Sequence, residues 1–257
     1  MEKRANSLWT SGWDSTFRLL DLLIVQQRVV QPYYVISHRR QISELDMQTM
    51  DKIKRLLFAK VPQTRQLLLP TIYKERNDIK PNELITANYK NSAAKSHLGE
   101  QYEYLALFAE EEKAYDLELC IGMCYPGFFS NFIKHLLIKE PDGKDYNYRL
   151  ADEPSNPDLA LFKYFRFPIH HLSKFDLQQE AIAIKHGFID IMNETWFCHS
   201  PKNHQPCGLC TPCRVTMEEG MRRRIPLIGQ LRSFINYKAK PPITQILRPL
   251  KRMWKRL

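Results

Sequence analysis

The sixteen residues from Cys198 to Cys213 hold four cysteines in the spacing C-x8-C-x2-C-x2-C. Thiolates two residues apart inside a knuckle fall on one side of the backbone, and Gly208 and Pro212 supply tight turns. Four soft sulfur ligands satisfy a tetrahedral zinc ion and leave no open position, so such a site is structural. Lys202 and Arg214 would offset the negative charge of the centre. His199 and His204 are near enough in sequence to replace one cysteine, although a four-thiolate set needs neither. An iron–sulfur cluster also takes four cysteines, and Cys210 with Cys213 has the spacing of a redox pair. Ligand number, spacing and turn residues favour zinc on Cys198, Cys207, Cys210 and Cys213.

A second chemical stretch lies near the N-terminus, where Leu8 to Phe17 reads LWTSGWDSTF. An apolar stub, a tight turn of small residues and a helix start make an anion site: backbone N–H groups and the helix dipole both favour negative charge. Gly12 permits close backbone approach. Ser15 and Thr16 offer hydroxyl donors. Asp14 caps the helix, orients the loop or holds a magnesium ion on bound phosphates. The same residues also fit an ordinary turn with Asp14 as N-cap. No G-x-x-x-x-G-K follows, which excludes the lysine-bearing P-loop.

These residues need a scaffold, and the periodicity supplies one. Ser7 to Thr10 reads as a short strand, Asp14 to Val25 as an amphipathic helix and Tyr33 to Ile36 as a second strand. Leu45 to Phe58 is helical, Gln66 to Leu69 a third strand, Gln101 to Tyr115 a helix and Leu117 to Met123 a fourth strand. Phe129 to Ile138 reads as a helix, Phe165 to Ile169 as a last strand and Leu177 to Lys185 as a helix. Pro70 to Leu98 and Lys139 to Pro157 read as long loops. Strands alternating with helices predict an α/β fold, a parallel sheet with helices on both faces. A zinc knuckle and a basic tail follow it, which divides the chain into an α/β domain at 1–195, a zinc segment at 196–224 packed on it and a tail at 225–257. His170-His171 lacks i,i+4 spacing and reads as a strand end. Cys120 and Cys124 read as small buried hydrophobes, with Cys124 at a strand end where open α/β sheets hold ligands.

The charge is unevenly spread. Among 257 residues there are 38 Lys and Arg against 28 Asp and Glu. Eleven of the 38 cations lie between Met221 and Leu257, where there is no acidic residue, leaving 27 cations against 28 acids in the rest. The body is therefore not basic, and nucleic acid is not favoured as a partner. In the tail, Leu247, Leu250, Trp254 and Leu257 share a helical face interrupted by Pro249. The first reading is packing on the domain, the second docking on a partner protein, and the third binding to anionic lipid or nucleic acid. No apolar run approaches the ~18 residues of a membrane span, and Met1 to Arg4 does not lead into a signal-peptide core. The expected location is the cytoplasm. A membrane partner is not expected, and a homodimer is left open.

Aligned on Asp14-Ser15, the turn reads T-S-G-W-D-S and resembles the S-G-G-x-D-S loop of the PP-loop ATP pyrophosphatases, which have a HUP-like fold. Thr10 and Ser11 replace the first serine and glycine, and Gly12 matches the second glycine. Phe167 to Arg224 resembles the C-terminal part of the 7-cyano-7-deazaguanine synthase family. The matching features are Pro168-Ile169, Leu172-Ser173-Lys174, a helix beyond Phe175, Trp196-Phe197-Cys198, and Pro206 to Arg214. The resemblance implies an ATP-dependent ligase or synthase that adenylates a carboxylate like that of 7-carboxy-7-deazaguanine, releases pyrophosphate and forms an amide or nitrile. It implies that Thr10, Ser11, Gly12, Asp14, Ser15 and Thr16 cradle pyrophosphate with magnesium. Lys174 would reach the phosphates, with Asp14 as its catalytic companion, and His38 and Arg39 would touch nucleotide or substrate. Three middle segments depart from that family: Ile36 to Arg40, Leu98 to Tyr102 and Cys124 to Phe128. A different acyl substrate or amine follows from that departure. Three alternatives stand beside the first reading: a diverged enzyme joining the deazapurine acid to a protein amine in a bacterial defence operon, a PP-loop RNA-modifying enzyme, and a nucleotide-binding module without turnover.

Overall fold

The computed structural model describes residues 4–37, 40–122, 129–142, 145–152, 156–172 and 177–237. The chain forms two compact units, Met1–Trp196 and Phe197–Leu257.

The first unit is α/β. Strand β1 (Ala5–Leu8) leads through the Thr10 turn into helix α1 (Trp13–Leu20), whose last turns widen into a π-helix at Asp21–Val25. Strand β2 (Val30–Ile36), helix α2 (Arg40–Lys60) and strand β3 (Ile72–Glu75) follow. Helices α3 (Glu83–Lys95) and α4 (Gln101–Glu111) then return the chain to strand β4 (Leu117–Glu118). A hairpin of β5 (Leu137–Asp142) and β6 (Asp145–Leu150), strand β7 (Phe165–Arg166) and helices α5 (Gln178–Lys185) and α6 (Ile189–Asn193) complete it. Among the described residues the strands join in one seven-stranded sheet, ordered β3-β2-β1-β4-β7-β6-β5. The pairs β3-β2, β2-β1, β1-β4 and β4-β7 are parallel, whereas β6 pairs antiparallel with both β7 and β5.

Alternation along β2 shows how both faces are covered, because successive strand side chains point to opposite sides. Tyr33 packs edge-on against Phe108 of α4, with ring centroids 5.8 Å apart. Its neighbour Tyr34 donates from its hydroxyl to Asp46 of α2 at 3.0 Å. On the α4 side Leu8, Leu117, Phe162, Phe165 and Phe167 form one buried cluster. On the α1 side Trp9, Phe17, Leu19 and Leu20 are buried, and Phe17 packs on Phe188 beside α6.

The sheet is mostly parallel rather than wholly so. The expected loop at Lys139 to Pro157 is largely the β5–β6 hairpin, in which Asp142 pairs with Asp145. The expected loop at Pro70 to Leu98 contains β3 and α3; α3 begins at a side-chain cap, Asn82, which accepts from the backbone N–H groups of Leu84 and Ile85. The third strand is later than Gln66 to Leu69. Pro62–Gln66 is a 3-10 turn and Leu68 makes one parallel bridge to Val30 before β3 starts. The helix expected at Phe129 to Ile138 is a π turn and a 3-10 turn that give way to β5 at Leu137. Among the described residues, no helix is long and apolar enough to cross a membrane.

The second unit carries the cysteine knuckle, helix α7 (Thr211–Glu218), a 3-10 turn at Arg222–Arg224 and helix α8 (Leu227–Tyr237). Proline follows Thr211 inside the first turn of α7, where its missing N–H costs nothing.

Candidate functional site

In the first unit the chain runs outward from β1 to β2 and β3, then returns to place β4 on the other side of β1. The neighbours β1 and β4 therefore flank a topological switch point, where the carboxyl ends of open α/β sheets leave a crevice for ligands. The Thr10 to Thr16 turn leaves β1 at that end, and Gly122 follows β4 at the same end.

The turn is held by its own hydroxyls. Ser15 Oγ accepts from Thr10 N at 3.2 Å and donates to the Thr10 carbonyl at 3.1 Å. Thr10 Oγ1 accepts from Gly12 N at 3.2 Å and lies 3.1 Å from Ser15 Oγ. Thr16 Oγ1 accepts from the buried indole N–H of Trp9 at 3.2 Å. Ser11 is buried and donates to Asp46 of α2, while its carbonyl accepts from Trp196 N at 2.8 Å. Asp46 thus binds both Ser11 and Tyr34, and burial together with that carboxylate raises the Tyr34 phenol pKa. A Cβ on Gly12 would sit 3.2 Å from Thr10 Oγ1, tight enough to disturb the turn.

The hydroxyls of Ser11, Ser15 and Thr16 all find partners within the protein. One sequence expectation is corrected here. Asp14 does not cap α1; the cap position is Gly12, and no side chain caps the helix there. Instead Asp14 Oδ1 accepts from Gln179 Nε2 of α5 at 3.0 Å. Gly122 closes against this pair. A Cβ there would stand 2.9 Å from both Asp14 Oδ1 and Gln179 Nε2. Gln179 is buried, and its Oε1 has no hydrogen-bond partner among the described residues. Sequence reasoning missed Gln179 and Gly122, since neither lies in a motif. His38, Arg39, Lys174 and Cys124 lie outside the described residues, as does the Leu247 to Leu257 face of the tail.

Beneath the turn lies a buried charge cluster that sequence reasoning also missed. Arg18 forks onto Glu118 of β4, with Nε 2.9 Å from Oε2 and Nη2 2.7 Å from Oε1. Asn147 of β6 donates to the same carboxylate at 3.0 Å, and Arg18 reaches Asp21 at 3.3 Å. Burial opposes the Arg18 charge, but Glu118 and then Asp21 outweigh it and raise the pKa. Asp142 of β5 pairs with Arg28 at 2.7 Å, and despite burial the bonds from Arg28 and Asn147 lower its pKa. The visible signal was Glu118 itself, an acid between Leu117 and Leu119 in an apolar strand. The His170 and His171 rings lie 5.7 Å apart, centroid to centroid. His170 lies 3.1 Å through Nδ1 from the Phe167 carbonyl oxygen and packs against Tyr148.

In the second unit Cys198, Cys207, Cys210 and Cys213 converge, with all four sulfurs within 4.8 Å of one another. Cys207 and Cys213 Sγ are 3.9 Å apart, as are Cys210 and Cys198 Sγ. A tetrahedron of sulfurs about 2.3 Å from a zinc ion has edges of about 3.8 Å. Those separations far exceed the ~2.05 Å of a disulfide, and all four cysteines are free. Backbone N–H groups support the sulfurs: Cys207 N donates to Cys198 Sγ, and Leu209 N and Cys210 N donate to Cys207 Sγ, each at 3.3 Å. The Cys213 thiol and the N–H groups of Cys207 and Ser200 favour a thiolate at Cys198 and lower its pKa. Gly208, at φ +77°, makes the turn that presents these donors. The four cysteines named by spacing are thus close enough to hold a metal ion, compatible with structural zinc, and the donor set fits it. No protein-family model matches the chain, and no curated protein matches it in sequence.

Proposed function

We propose that the first unit is a PP-loop-type ATP-binding domain and that the protein is an ATP-dependent ligase adenylating a carboxylate related to 7-carboxy-7-deazaguanine. The observation that carries this reading is the position of the Thr10 to Thr16 turn at the β1/β4 switch point, with Asp14 facing Gly122 and Gln179 across it. The sequence match of that turn to a pyrophosphate loop and its placement are independent lines of support.

In the proposed reaction a substrate carboxylate oxygen attacks the α-phosphorus of ATP. The bond from that phosphorus to the bridging oxygen breaks, and pyrophosphate leaves. The acyl adenylate then accepts ammonia or an amine, whose nitrogen gives up a proton, AMP departs with the former carboxylate oxygen, and an amide remains. Where ammonia was used, a second adenylation on the oxygen of the primary amide, again releasing pyrophosphate, would allow loss of AMP and two protons to give a nitrile. The enzyme's contribution is to hold the leaving diphosphate and offset its growing charge. Thr10 and the backbone of Gly12 stand at the outer edge of the turn and would meet phosphate oxygens. Asp14 would hold magnesium on them. Ser11, Ser15 and Thr16 would complete the pyrophosphate cradle while their internal hydroxyl bonds keep the loop in shape. Lys174, His38 and Arg39 keep the roles that the resemblance implies. The cysteine cluster is proposed as a structural zinc site, in which the ion crosslinks Cys198 to the knuckle at Cys207 to Cys213.

The test is direct. The protein is incubated with ATP, magnesium and 7-carboxy-7-deazaguanine, with and without ammonium, and the products are read by mass spectrometry. AMP and pyrophosphate appearing with the acid, and an amide or nitrile appearing with ammonium, are the expected result. Absence of AMP with this acid and with other carboxylates, at ATP concentrations that saturate the protein, sinks the ligase reading and leaves a nucleotide-binding module.

A further inference from the structure

Helix α8 is mounted with its apolar side outward. At 100° per residue Leu227, Ile228, Leu231, Phe234 and Ile235 share an arc of about 120°. Each is at least half exposed, and Leu227 reaches 83 %. Gly229 points the other way and, among the described residues of the helix, is the buried one. It packs on the knuckle so closely that a Cβ on Gly208 would fall 1.9 Å from the Gly229 carbonyl oxygen. The helix therefore docks by its own backbone at a glycine. A surface helix ordinarily does the reverse, burying its apolar stripe and exposing its polar side.

Cations border the stripe before the helix and along one flank. Arg222–Arg224 form the turn before α8, and Arg232 lies on its flank. A cavity of about 460 Å³ between α7 and α8 opens beside Phe234, with Arg214 and Arg222 in its lining; among the described residues Glu218 is its one carboxylate. Glu219 is the last acidic residue of the chain, and eleven Lys and Arg follow from Met221.

We infer that α8 is an interfacial helix that docks on an anionic lipid surface. Its apolar stripe enters the boundary between headgroups and acyl chains, and the flanking arginines take lipid phosphates. Eleven residues extend about 16 Å, so the helix lies in the plane of the bilayer rather than across its ~30 Å core. Charge complementarity selects this occupant. A second copy would bring two strongly cationic surfaces together. A nucleic acid would use the cations but leave the stripe in water.

The test uses the full-length, metal-loaded chain and vesicles of phosphatidylcholine alone or mixed with phosphatidylglycerol, with binding read by sedimentation. Binding to the mixed vesicles at least about tenfold tighter than to phosphatidylcholine is expected, with most of it lost in ~1 M salt, where screening lengths shrink to about 3 Å. The double variant Leu231→Ser, Phe234→Ser should bind at least about tenfold more weakly with metal content and helicity unchanged. Should that variant lose its metal, Leu227→Asp at the most exposed position gives the same reading. Undiminished binding of these variants, no binding to anionic vesicles at low salt, or a lipid-free dimer that the variants abolish would each overturn the inference.

Discussion

Gln179 Nε2 donates to Asp14 Oδ1 at 3.0 Å, joining α5 to the first turn of α1 across 165 residues of sequence. The bond fixes which way the Asp14 carboxylate faces. A Cβ on Gly122 would stand 2.9 Å from both ends of this bond, so a larger residue there has to push them aside. If Asp14 holds the metal on bound phosphates, its orientation is part of the affinity, and Gln179→Leu should weaken magnesium–ATP binding about tenfold, roughly 1.4 kcal/mol. Gly122→Ala should do the same by wedging Asp14 and Gln179 apart. Isothermal titration with each variant, alongside circular dichroism to confirm folding, makes the comparison. Full nucleotide affinity in both variants would remove the pair from the site.

The Arg18–Glu118 fork makes a prediction about stability. Both partners are buried, so removing one leaves the other as an uncompensated buried charge. Arg18→Met should cost about 3–5 kcal/mol of unfolding free energy. The double variant Arg18→Met, Glu118→Leu should recover part of that loss, because two apolar side chains replace two charges. Urea unfolding midpoints measure the cycle. Strictly additive single effects would show that the two residues do not act as a pair.

His170 sets a pH dependence. Burial among Phe129, Phe167 and Tyr148 lowers its pKa below the ordinary 6.5, outweighing the bond to the Phe167 carbonyl. The unfolded chain then binds the proton more readily than the fold does. The stability this histidine contributes is complete above about pH 6.5 and declines as the pH falls from there through the lowered folded value. His171 shifts in the same direction, also through burial. Denaturant midpoints between about pH 7.5 and 5.5 should therefore fall more for the wild type than for His170→Asn, whose amide carries no titrating proton. Parallel curves would exclude the histidine as the cause.

The cysteine cluster and the turn between β1 and α1 were legible because each is local. The knuckle spacing puts four sulfurs together whatever the rest of the chain does, and a turn after a strand stub needs few residues to define it. The parallel core was legible from apolar periods in α1, α2 and α4. What escaped depends on distant pairing or weak periods. The hairpin carries Asp142-Gly143 between two alternating runs, a turn signal that Pro141 and five acidic side chains between Glu140 and Glu153 obscured. Helix α3 is mostly polar, and Asn82 marked its start more clearly than its apolar residues did. Gln179 and Gly122 acquire meaning only when α5 and the end of β4 meet the Asp14 turn, a contact no local pattern encodes. Helix α8 was not read from the sequence, and the direction of its apolar stripe depends on Gly229 meeting Gly208.

That glycine pair gives a last prediction, which separates metal binding from the packing of α8. Gly208 sits at φ +77°, a conformation costly for other residues, and its missing Cβ is where the Gly229 carbonyl lies. Gly208→Ala should therefore cost about 1–3 kcal/mol through backbone strain and displace α8, although it removes no sulfur. Cys207→Ser removes a ligand, and because metal binding and folding are coupled it should release the ion and unfold the second unit together. Metal content by mass spectrometry and protease resistance of 197–237 distinguish the two. The alanine variant should keep its ion while α8 becomes cleavable, and the serine variant should lose both. An alanine variant as protease-resistant as the wild type would show that α8 is not held through this contact. A serine variant that retained a full complement of metal would show that Cys207 is not a ligand.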